Sequence, residues 1–513
     1  MRTSLASLDH AQFDVCVIGA GANGASAAHH LSAAGYHVLL VDKDDFGSGS
    51  SSRSSRLLHC GLRYLGTGDS LLQFIRHPSR LRFALRMAKL CMDARRQMVI
   101  ATPERVREMK FHFPIWRESI YRPWQASVGL KLLASMAPSD VPLKQRMYSP
   151  EQAKTIPLVN GLRDWEQLEG VAAFTEYQID WAERMCVDAS LDAERLGATV
   201  RNYTAVTALK RSAKGWEVGL ADILSATTAT IHAKLVLNMA GIWIDKVNST
   251  SGAPRRRMIF ATKGCHIVVQ LPPECADYGI VTYNSLNEPF YCIPWRGLHY
   301  FGPTETEYTG DLDAIRAEES EVEFLITEAN HLLPGLVLKR SDVLSTWAGV
   351  RPLSFDPQFP KGKRLSELHD LGDAGMPDVL AMTAGPLLSH RTGALEVTQL
   401  VQKRLAPSRP ARPVTFSARH FQGNGHLPPS LDAWAEGALE ELRSAARDEH
   451  ATNLRDLMFR RLGLGWNKTM GYELADRVAQ AVADIYGWDD ARIGREAAEY
   501  RAALRDLYGI RPQ

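Results

Sequence analysis

Three glycines near the start of the chain have the spacing of a turn that binds a phosphate chain. Gly19, Gly21 and Gly24 form the pattern GxGxxG, with Asn23 inside it. In such a turn the first glycine allows the tight bend, the second lets a pyrophosphate approach the backbone, and the third lets a helix pack against a strand. Asp42 follows about 20 residues later, where a carboxylate can accept hydrogen bonds from a ribose. These residues predict a dinucleotide site; the alternative is a glycine-rich loop without a ligand.

The elements needed to position this turn are present on both sides of it. Residues 13–18, FDVCVI, form a short apolar run that is typical of a buried parallel strand. A helix rich in small residues follows and ends at Gly35, and a second apolar run, HVLLVD, ends in Asp42. The N-terminus of the helix would add a positive field for the pyrophosphate. The order strand, turn, helix, strand predicts a Rossmann-like α/β domain.

A run of hydroxyl side chains follows the second strand. Residues 47–55 read GSGSSSRSS, and we assign Ser51, Ser52 and Ser54 to the cofactor because hydroxyls can hydrogen-bond the ribityl and phosphate groups of a flavin. A flexible serine linker is the alternative. The sequence has no second GxGxxG turn after a strand, which a nicotinamide dinucleotide would require. We therefore expect FAD and no nicotinamide.

The overall composition argues against several other classes of protein. Among 513 residues, 60 are basic and 58 acidic, so no excess of positive charge indicates a nucleic-acid partner. The seven cysteines are scattered without metal-ligand spacing, which predicts reduced thiols and no metal site. The first residues lack the apolar core of a signal peptide, and no run of about 18 apolar residues could span a bilayer. We expect a cytoplasmic protein, or one that lies peripherally on the inner face of the cell membrane.

Several further motifs resemble one enzyme family, in that family's order. The segment 42–65, DKDDFGSGSSSRSSRLLHCGLRYL, is similar to the segment after the first pair of strands in FAD-dependent glycerol-3-phosphate dehydrogenases, which have the D-amino-acid-oxidase-like fold. The other similar motifs are LVLNMAGIWIDKV at 235–247, KGCH at 263–266, FGPTETEY at 301–308, LSTWAGVRPL at 344–353 and FRRLGLG at 459–465. Together they extend along most of the chain.

The resemblance implies a reaction and the residues that carry it. A secondary alcohol beside a phosphorylated carbon would give a hydride to N5 of the flavin, and the electrons would pass to a quinone or to oxygen. By motif position, Arg63 and Tyr64 lie beside the substrate, and the guanidinium of Arg351 forms a fork to its phosphate. A neutral imidazole would take the proton of the hydroxyl, and His59 and His266 are the candidates. The resemblance also assigns four residues to the cofactor: Val206, Ala240, Gly241 and Gly385.

The chain departs from the family near the expected phosphate site. Where the family has the motif GGKLTTYR, this chain reads AGPLLSHR, so the lysine is replaced by Pro386, which has no N–H to donate. The cations of the segment 361–364, KGKR, are a hypothetical receiver for the displaced anion. The substrate is therefore left open between glycerol 3-phosphate, a related polyol phosphate, and another hydroxy acid or amino compound. A non-catalytic FAD-binding subunit is the alternative outside the enzymes.

The fold class that follows is α/β: a Rossmann-like FAD-binding domain, a mixed-sheet substrate domain and a small C-terminal helical domain. The linker is predicted from its Pro and Gly content, and the C-terminal helices from apolar residues with a period near 3.6. The predicted boundaries are an oxidoreductase domain at 1–405, with FAD-binding segments at about 12–70, 170–250 and 340–405 around a substrate sheet at about 251–340, then a linker at 406–429 and the helical domain at 430–513.

A basic segment raises the question of a membrane partner. Residues 76–122 are predicted to be helical, and the part RLRFALRMAKL at 80–90 interleaves apolar side chains with cations. This pattern is typical of a helix that lies on an anionic membrane surface, and equally of a solvated helix packed on the core. The expected partners are a phosphorylated alcohol and a quinone or oxygen, with no nucleic acid. A peripheral membrane surface is left open as one of the two alternatives for the basic segment, and the sequence is also compatible with a homodimer.

Overall fold

The computed structural model describes residues 2–62, 77–254, 256–417 and 436–510. The strands are β1 Gln12–Ile18, β2 Val38–Val41, β3 Leu57–Leu58, β4 Val106–Trp116, β5 Arg146–Tyr148, β6 Leu168–Ile179, β7 Thr199–Arg201, β8 Thr204–Ser212, β9 Gly215–Asp222, β10 Thr228–Asn238, β11 Ile259–Val269, β12 Tyr278–Tyr283, β13 Pro289–Trp295, β14 Leu298–Gly302, β15 Thr306–Glu307, β16 Ser345–Asp356, β17 Phe359–Lys363, β18 Glu367–Asp370 and β19 Val379–Thr383. The α-helices are α1 Ala22–Ala33, α2 Pro78–Ala101, α3 Pro123–Met136, α4 Pro150–Ala153, α5 Ala182–Arg195, α6 Ile244–Asn248, α7 Glu319–Leu332, α8 His390–Gln402, α9 Glu436–Asp448, α10 Ala475–Tyr486 and α11 Asp490–Tyr508.

The first sheet is built around β1. Its strand order is β18-β19-β10-β1-β2-β7, and β10, β1, β2 and β7 run parallel to their neighbours in this series. β1 is buried beyond Gln12, as expected for a strand covered on both faces. α1 packs against α5 and α8 through small residues such as Ala27 and Ala28, which are fully buried. The predicted Rossmann-like domain is therefore confirmed.

The second sheet, which we predicted as the substrate sheet, extends beyond the predicted range 251–340. Its order is β17-β16-β11-β14-β13-β12-β4-β6-β3, so it also takes strands from well before residue 251 and from after residue 340. β6 pairs with β4 along nearly its whole length. The predicted α/β class with a mixed second sheet is confirmed, and the first sheet is mixed as well.

The prediction that 76–122 is helical is wrong for its second half. α2 covers 78–101, but residues 106–116 form β4. The segment VREMKFHFPIW contains buried Met109, Phe111 and Ile115, so its apolar residues recur with a period of 2. That period is the period of a strand, and the basic composition concealed it.

The segments around the C-terminal helices contact the first domain through buried charges. Asp45, in the loop after β2, accepts hydrogen bonds from both terminal nitrogens of Arg461 at 2.7 and 2.8 Å. Arg184 of α5 donates to Glu449 at 2.6 and 3.1 Å. All four side chains are almost completely buried, so removing one partner would typically cost about 3–5 kcal/mol. The predicted C-terminal helical region is thus confirmed, and it is anchored beside the loop that carries Asp42.

Three further observations concern the described residues alone. The seven cysteines are buried and form no disulfides. No cluster of His, Cys, Asp and Glu suited to a metal ion is found in this part of the chain. None of its helices combines the length and apolar character needed to cross a bilayer.

Candidate active site

A large cavity lies where the two sheets meet. Its volume is about 520 Å³, and it extends from the turn after β1 to the edge of β11 and β16. The carboxyl ends of the parallel strands β1, β2 and β10 open into it, which is the usual position of a ligand in a sheet of this type. The cavity brings together residues that are far apart in the sequence.

The glycine turn has the geometry that its spacing predicts. Gly19 has φ of +100°, and a Cβ atom there would lie 2.6 Å from the carbonyl oxygen of Met239. A Cβ on Gly24 would lie 1.8 Å from the carbonyl oxygen of Gly19, so the absence of a side chain there lets α1 pack closely against the end of β1. Gly24 does not line the cavity. Gly21 and Asn23 do line it. Gly21 precedes the first residue of α1, so the N-terminus of that helix opens into the cavity.

Asp42 lies at the end of β2 with its carboxylate held by the backbone. Its Oδ2 accepts a hydrogen bond from Ala20 N–H at 2.6 Å, and its Oδ1 accepts one from Asp44 N–H at 2.9 Å. Burial raises the pKa of Asp42 to about 7 despite these donors. The carboxyl group is thus fixed at the cavity wall, within the loop that the C-terminal helices anchor.

Some side chains of the serine segment line the cavity, and others form hydrogen bonds within the segment itself. Ser51 and Ser54 line the cavity, and Ser51 Oγ accepts a hydrogen bond from Ala22 N–H at 3.0 Å. Ser52 does not line it: its hydroxyl donates to the carbonyl of Gly49 at 2.9 Å within a 3₁₀ turn. The assignment of Ser52 to the cofactor therefore has no geometric support, because the turn points that side chain inward.

The remaining residues assigned to the cofactor all line the cavity. They are Val206, Ala240, Gly241 and Gly385. A Cβ on Gly241 would meet no protein atom within 4 Å, and one on Gly21 would meet only Ser51 Oγ, at 3.2 Å. The backbone at Gly21 and at Gly241 therefore faces open space in the cavity. A pyrophosphate could approach the turn there, and Ser51 and Ser54 could bind the adjoining polar chain, so the residues present fit FAD.

His266 lies on the wall of the cavity formed by the second sheet. One ring nitrogen, Nε2, lies 3.0 Å from Ser55 Oγ, and the ring stacks on Trp347 with a centroid distance of 4.8 Å. Burial, together with the charges of Arg351 and Arg56, holds the pKa of His266 well below its ordinary value. The imidazole is therefore neutral and has a lone pair to accept a proton, which a general base requires.

His59 and Arg351 share this part of the cavity. The ring of His59 lies 6.2 Å from the ring of Tyr291, and both residues line the wall. Arg351, on β16, faces Gly264 of the KGCH motif, where a Cβ would lie 2.3 Å from Nη2. The glycine in that motif thus leaves room for the guanidinium. Arg63 and Tyr64 lie outside the described residues.

The departures from the family also fall within the cavity. Pro386 lines it and, as a proline, offers no backbone donor. Of the cations at 361–364, Arg364 alone lines the cavity; it forms an ion pair with Glu305. Lys361 is exposed, and Lys363 is paired with Asp356 at 2.6 Å. The hypothesis of a cationic cluster is therefore reduced to Arg364.

Arg56 is a cavity residue that the sequence analysis missed. Its guanidinium lies between the rings of Trp295 and Trp466, at 4.5 and 4.6 Å from their centroids, and donates to Glu183 at 3.0 Å. Arg56 and Glu183 are completely buried. Arg56 stands at the end of the hydroxyl-rich run, but its partners are distant in sequence, so only its position beside the serines could have indicated a role.

Comparison with known proteins agrees with this geometry. The family model described as FAD dependent oxidoreductase matches residues 14–388. A glycerol-3-phosphate dehydrogenase of Synechocystis is 29% identical over 422 residues, covering 79% of this chain and 73% of that protein. The structure of glycerol-3-phosphate dehydrogenase from Bacillus halodurans complexed with FAD has a TM-score of 0.71 at 21% identity and covers 98% of this chain and 96% of its own. L-α-glycerophosphate oxidase from Mycoplasma pneumoniae with FAD bound has a TM-score of 0.60 at 16% identity, covering 80% and 100%. The matched family region spans most of the chain and contains the glycine turn, His266 and Arg351, and the chain therefore belongs to the FAD-dependent oxidoreductases.

Proposed function

We propose that this protein oxidises glycerol 3-phosphate or a related polyol phosphate by hydride transfer to FAD. The observation that carries the proposal is one cavity that contains both the dinucleotide turn and, at its other end, a neutral His266 beside the cation Arg351. The names of the Synechocystis and Bacillus halodurans relatives support glycerol 3-phosphate as the substrate.

The chain's own groups would divide the work as follows. Bound FAD supplies the hydride acceptor at its N5 atom. A guanidinium holds a phosphate in a bidentate grip, so Arg351 would bind and orient the anionic end of the substrate. His266, neutral and buried, would take the hydroxyl proton on a ring nitrogen; His59 is the alternative base.

The acceptor of the electrons is either a quinone or oxygen. The Mycoplasma pneumoniae relative is named an oxidase, and the Bacillus halodurans and Synechocystis relatives are named dehydrogenases. Turnover with oxygen alone, compared with turnover with an added quinone analogue, distinguishes the two acceptors.

A panel of alcohols tests the substrate. Because Pro386 offers no charged donor, we expect a lower kcat/KM for glycerol 3-phosphate than for a longer or differently charged alcohol whose anion reaches Arg364. Loss of one charged hydrogen bond typically reduces affinity by roughly ten- to hundredfold. The measurement is kcat/KM across polyol phosphates and hydroxy acids. If kcat/KM is higher for glycerol 3-phosphate than for every other compound, Pro386 does not weaken the binding of this substrate.

We also propose that the surface of α2 and α3 docks on anionic lipid. α3 exposes a stripe at intervals of four residues, Trp124, Val128 and Leu132, and Trp124 is 64% exposed. α2 packs beside α3. It exposes Phe83 and Leu90 in the same stretch as these exposed cations: Arg82, Arg86 and Lys89. Apolar and basic side chains on adjacent helices suit the interface of an anionic membrane.

Sedimentation with lipid vesicles tests this surface. We expect binding to acidic vesicles at low salt, weaker binding as salt screens the charges, and little binding to neutral vesicles. Trp124→Ser should reduce binding by roughly tenfold or more, because a large apolar side chain no longer enters the interface. The control is Ile223→Ser, which removes an exposed apolar side chain from the turn after β9, away from α2 and α3. Equal binding to neutral and acidic vesicles, or none to either, would contradict the proposal.

A further inference from the structure

A loop of the second sheet reaches the wall of the cavity beside the dinucleotide turn. This loop connects β15 to α7 and carries Asp313. The Asp313 carboxylate accepts a hydrogen bond from Trp243 Nε1 at 3.0 Å and forms an ion pair with Lys43. Its other oxygen lies 3.7 Å from the ammonium group of Lys246. Lys43, Trp243 and Lys246 line the cavity, whereas Asp313 stands behind them.

The partners of Asp313 come from two different segments that follow strands of the first sheet. Lys43 follows Asp42 after β2, and Trp243 and Lys246 follow β10. The ammonium group of Lys43 also lies 4.2 Å from the centre of the Trp243 ring, a distance at which a cation is attracted to an indole. The Asp313 carboxylate therefore connects the segment after β2 to the segment after β10, beside the glycine turn.

Two more contacts fix this loop from behind. The guanidinium of Arg53, in the serine segment, donates to the carbonyl of Ile315 at 3.0 Å. Lys263 of β11 donates to the carbonyl of Arg316 at 3.3 Å. We call residues 311–316 the strap, because they tie the second sheet to the wall of the cavity on the first.

We propose that Asp313 is a positioning residue that slows the release of FAD. It holds Lys43, Trp243 and Lys246 together across the wall of the cavity, so these residues must separate before the cofactor can leave on that side. The proposal rests on the FAD-binding family and is independent of which alcohol is oxidised. If Asp313 instead held the two lysines away from the cofactor, its loss would slow the release of FAD, because the released lysines would bind the pyrophosphate more tightly. The direction of the change in the release rate distinguishes the two.

The test is the rate of FAD release from the holoenzyme, followed by the rise in flavin fluorescence after dilution. Asp313→Asn keeps the size of the side chain and an acceptor for Trp243, but loses both ion pairs. Exposed ion pairs contribute modestly, so we expect release to be about three- to thirtyfold faster. High salt should accelerate release from the wild type and have little effect on the variant. Asp313→Glu, which keeps the charge, should restore slow release.

The matched control is Asp484→Asn, which removes an exposed pair with Arg443 in the C-terminal region. We expect wild-type release from it. Unchanged or slower release from Asp313→Asn, or the same acceleration in the control, would overturn the proposal. So would a clearly larger fall in the unfolding temperature of the Asp313→Asn apoprotein than of the Asp484→Asn apoprotein, since that would indicate general loosening. A purified wild type without flavin absorbance would instead overturn the cofactor assignment on which the proposal rests.

Discussion

Gly21→Leu protein is expected to fold and to purify without flavin. Gly21 has φ of −68° and ψ of −177°, an extended conformation that other residues adopt freely. A Cβ there would meet only Ser51 Oγ, at 3.2 Å, so the polypeptide can accommodate a side chain. The space that leucine fills is the space in which a pyrophosphate must approach the turn and the N-terminus of α1. We expect the affinity for FAD to fall by roughly a hundredfold or more, the equivalent of about 3 kcal/mol.

The measurement is the amount of FAD per protein molecule, obtained from the visible spectrum and from flavin released on denaturation. The control is Gly494→Leu in α11, where an added Cβ would meet no atom within 4 Å and the cavity is remote. Gly19 and Gly24 are unsuitable for this test, because a Cβ at either would collide with the backbone of the apoprotein. A fully flavinylated Gly21→Leu protein would show that the cofactor lies elsewhere.

Arg351→Ala is expected to reduce kcat/KM for anionic alcohols by about ten- to hundredfold. This is the typical cost of a lost hydrogen bond to a charged group, about 1.5–3 kcal/mol. The activity with an uncharged polyol such as glycerol should change little, since no phosphate then needs a guanidinium. Arg351→Lys should restore part of the loss, because lysine keeps the charge but not the fork.

The same variant should change the pH dependence. Burial is the largest cause of the low pKa of His266, and the charge of Arg351 is the next. Removing Arg351 should therefore raise the pKa of His266 and move the acidic limb of the kcat profile to higher pH, since the protonated imidazole cannot act as a base. If all activities and the profile are unchanged in Arg351→Ala, the anion is held elsewhere and the site assignment fails.

The cofactor half of the site could be predicted from the sequence because its signals are local. Gly19 and Gly21 lie in the turn after β1, Gly24 lies in the first turn of α1, and Asp42 directly follows β2, so spacing alone determines their arrangement. The periodicity of the last 80 or so residues likewise predicted helices. Ser52 does not line the cavity, although Ser51 and Ser54 do, because a 3₁₀ turn directs neighbouring serines to different sides, which composition does not reveal.

The substrate half depends on contacts that the sequence does not display. Arg56 contacts Glu183, Trp295 and Trp466, which belong to α5, β13 and the C-terminal region. The ion pair between Arg364 and Glu305 likewise joins distant segments. The sequence alone therefore does not show which cations of the segment 361–364 line the cavity and which lie on the surface. In β4 the excess of charge concealed the alternation of apolar residues, and a helix was predicted where a strand forms.

Anaerobic reduction of the bound flavin by glycerol 3-phosphate tests directly whether this protein transfers a hydride from a polyol phosphate to FAD. We expect the visible absorbance of the oxidised flavin to be bleached when the substrate is added without any acceptor, and to return when an acceptor is admitted. Deuterium at C2 of the substrate should slow the bleaching several-fold, because the bond to that hydrogen breaks in the hydride transfer. Flavin that stays oxidised with glycerol 3-phosphate and every other polyol phosphate, yet is bleached by dithionite, would show that the protein does not oxidise this class of alcohol.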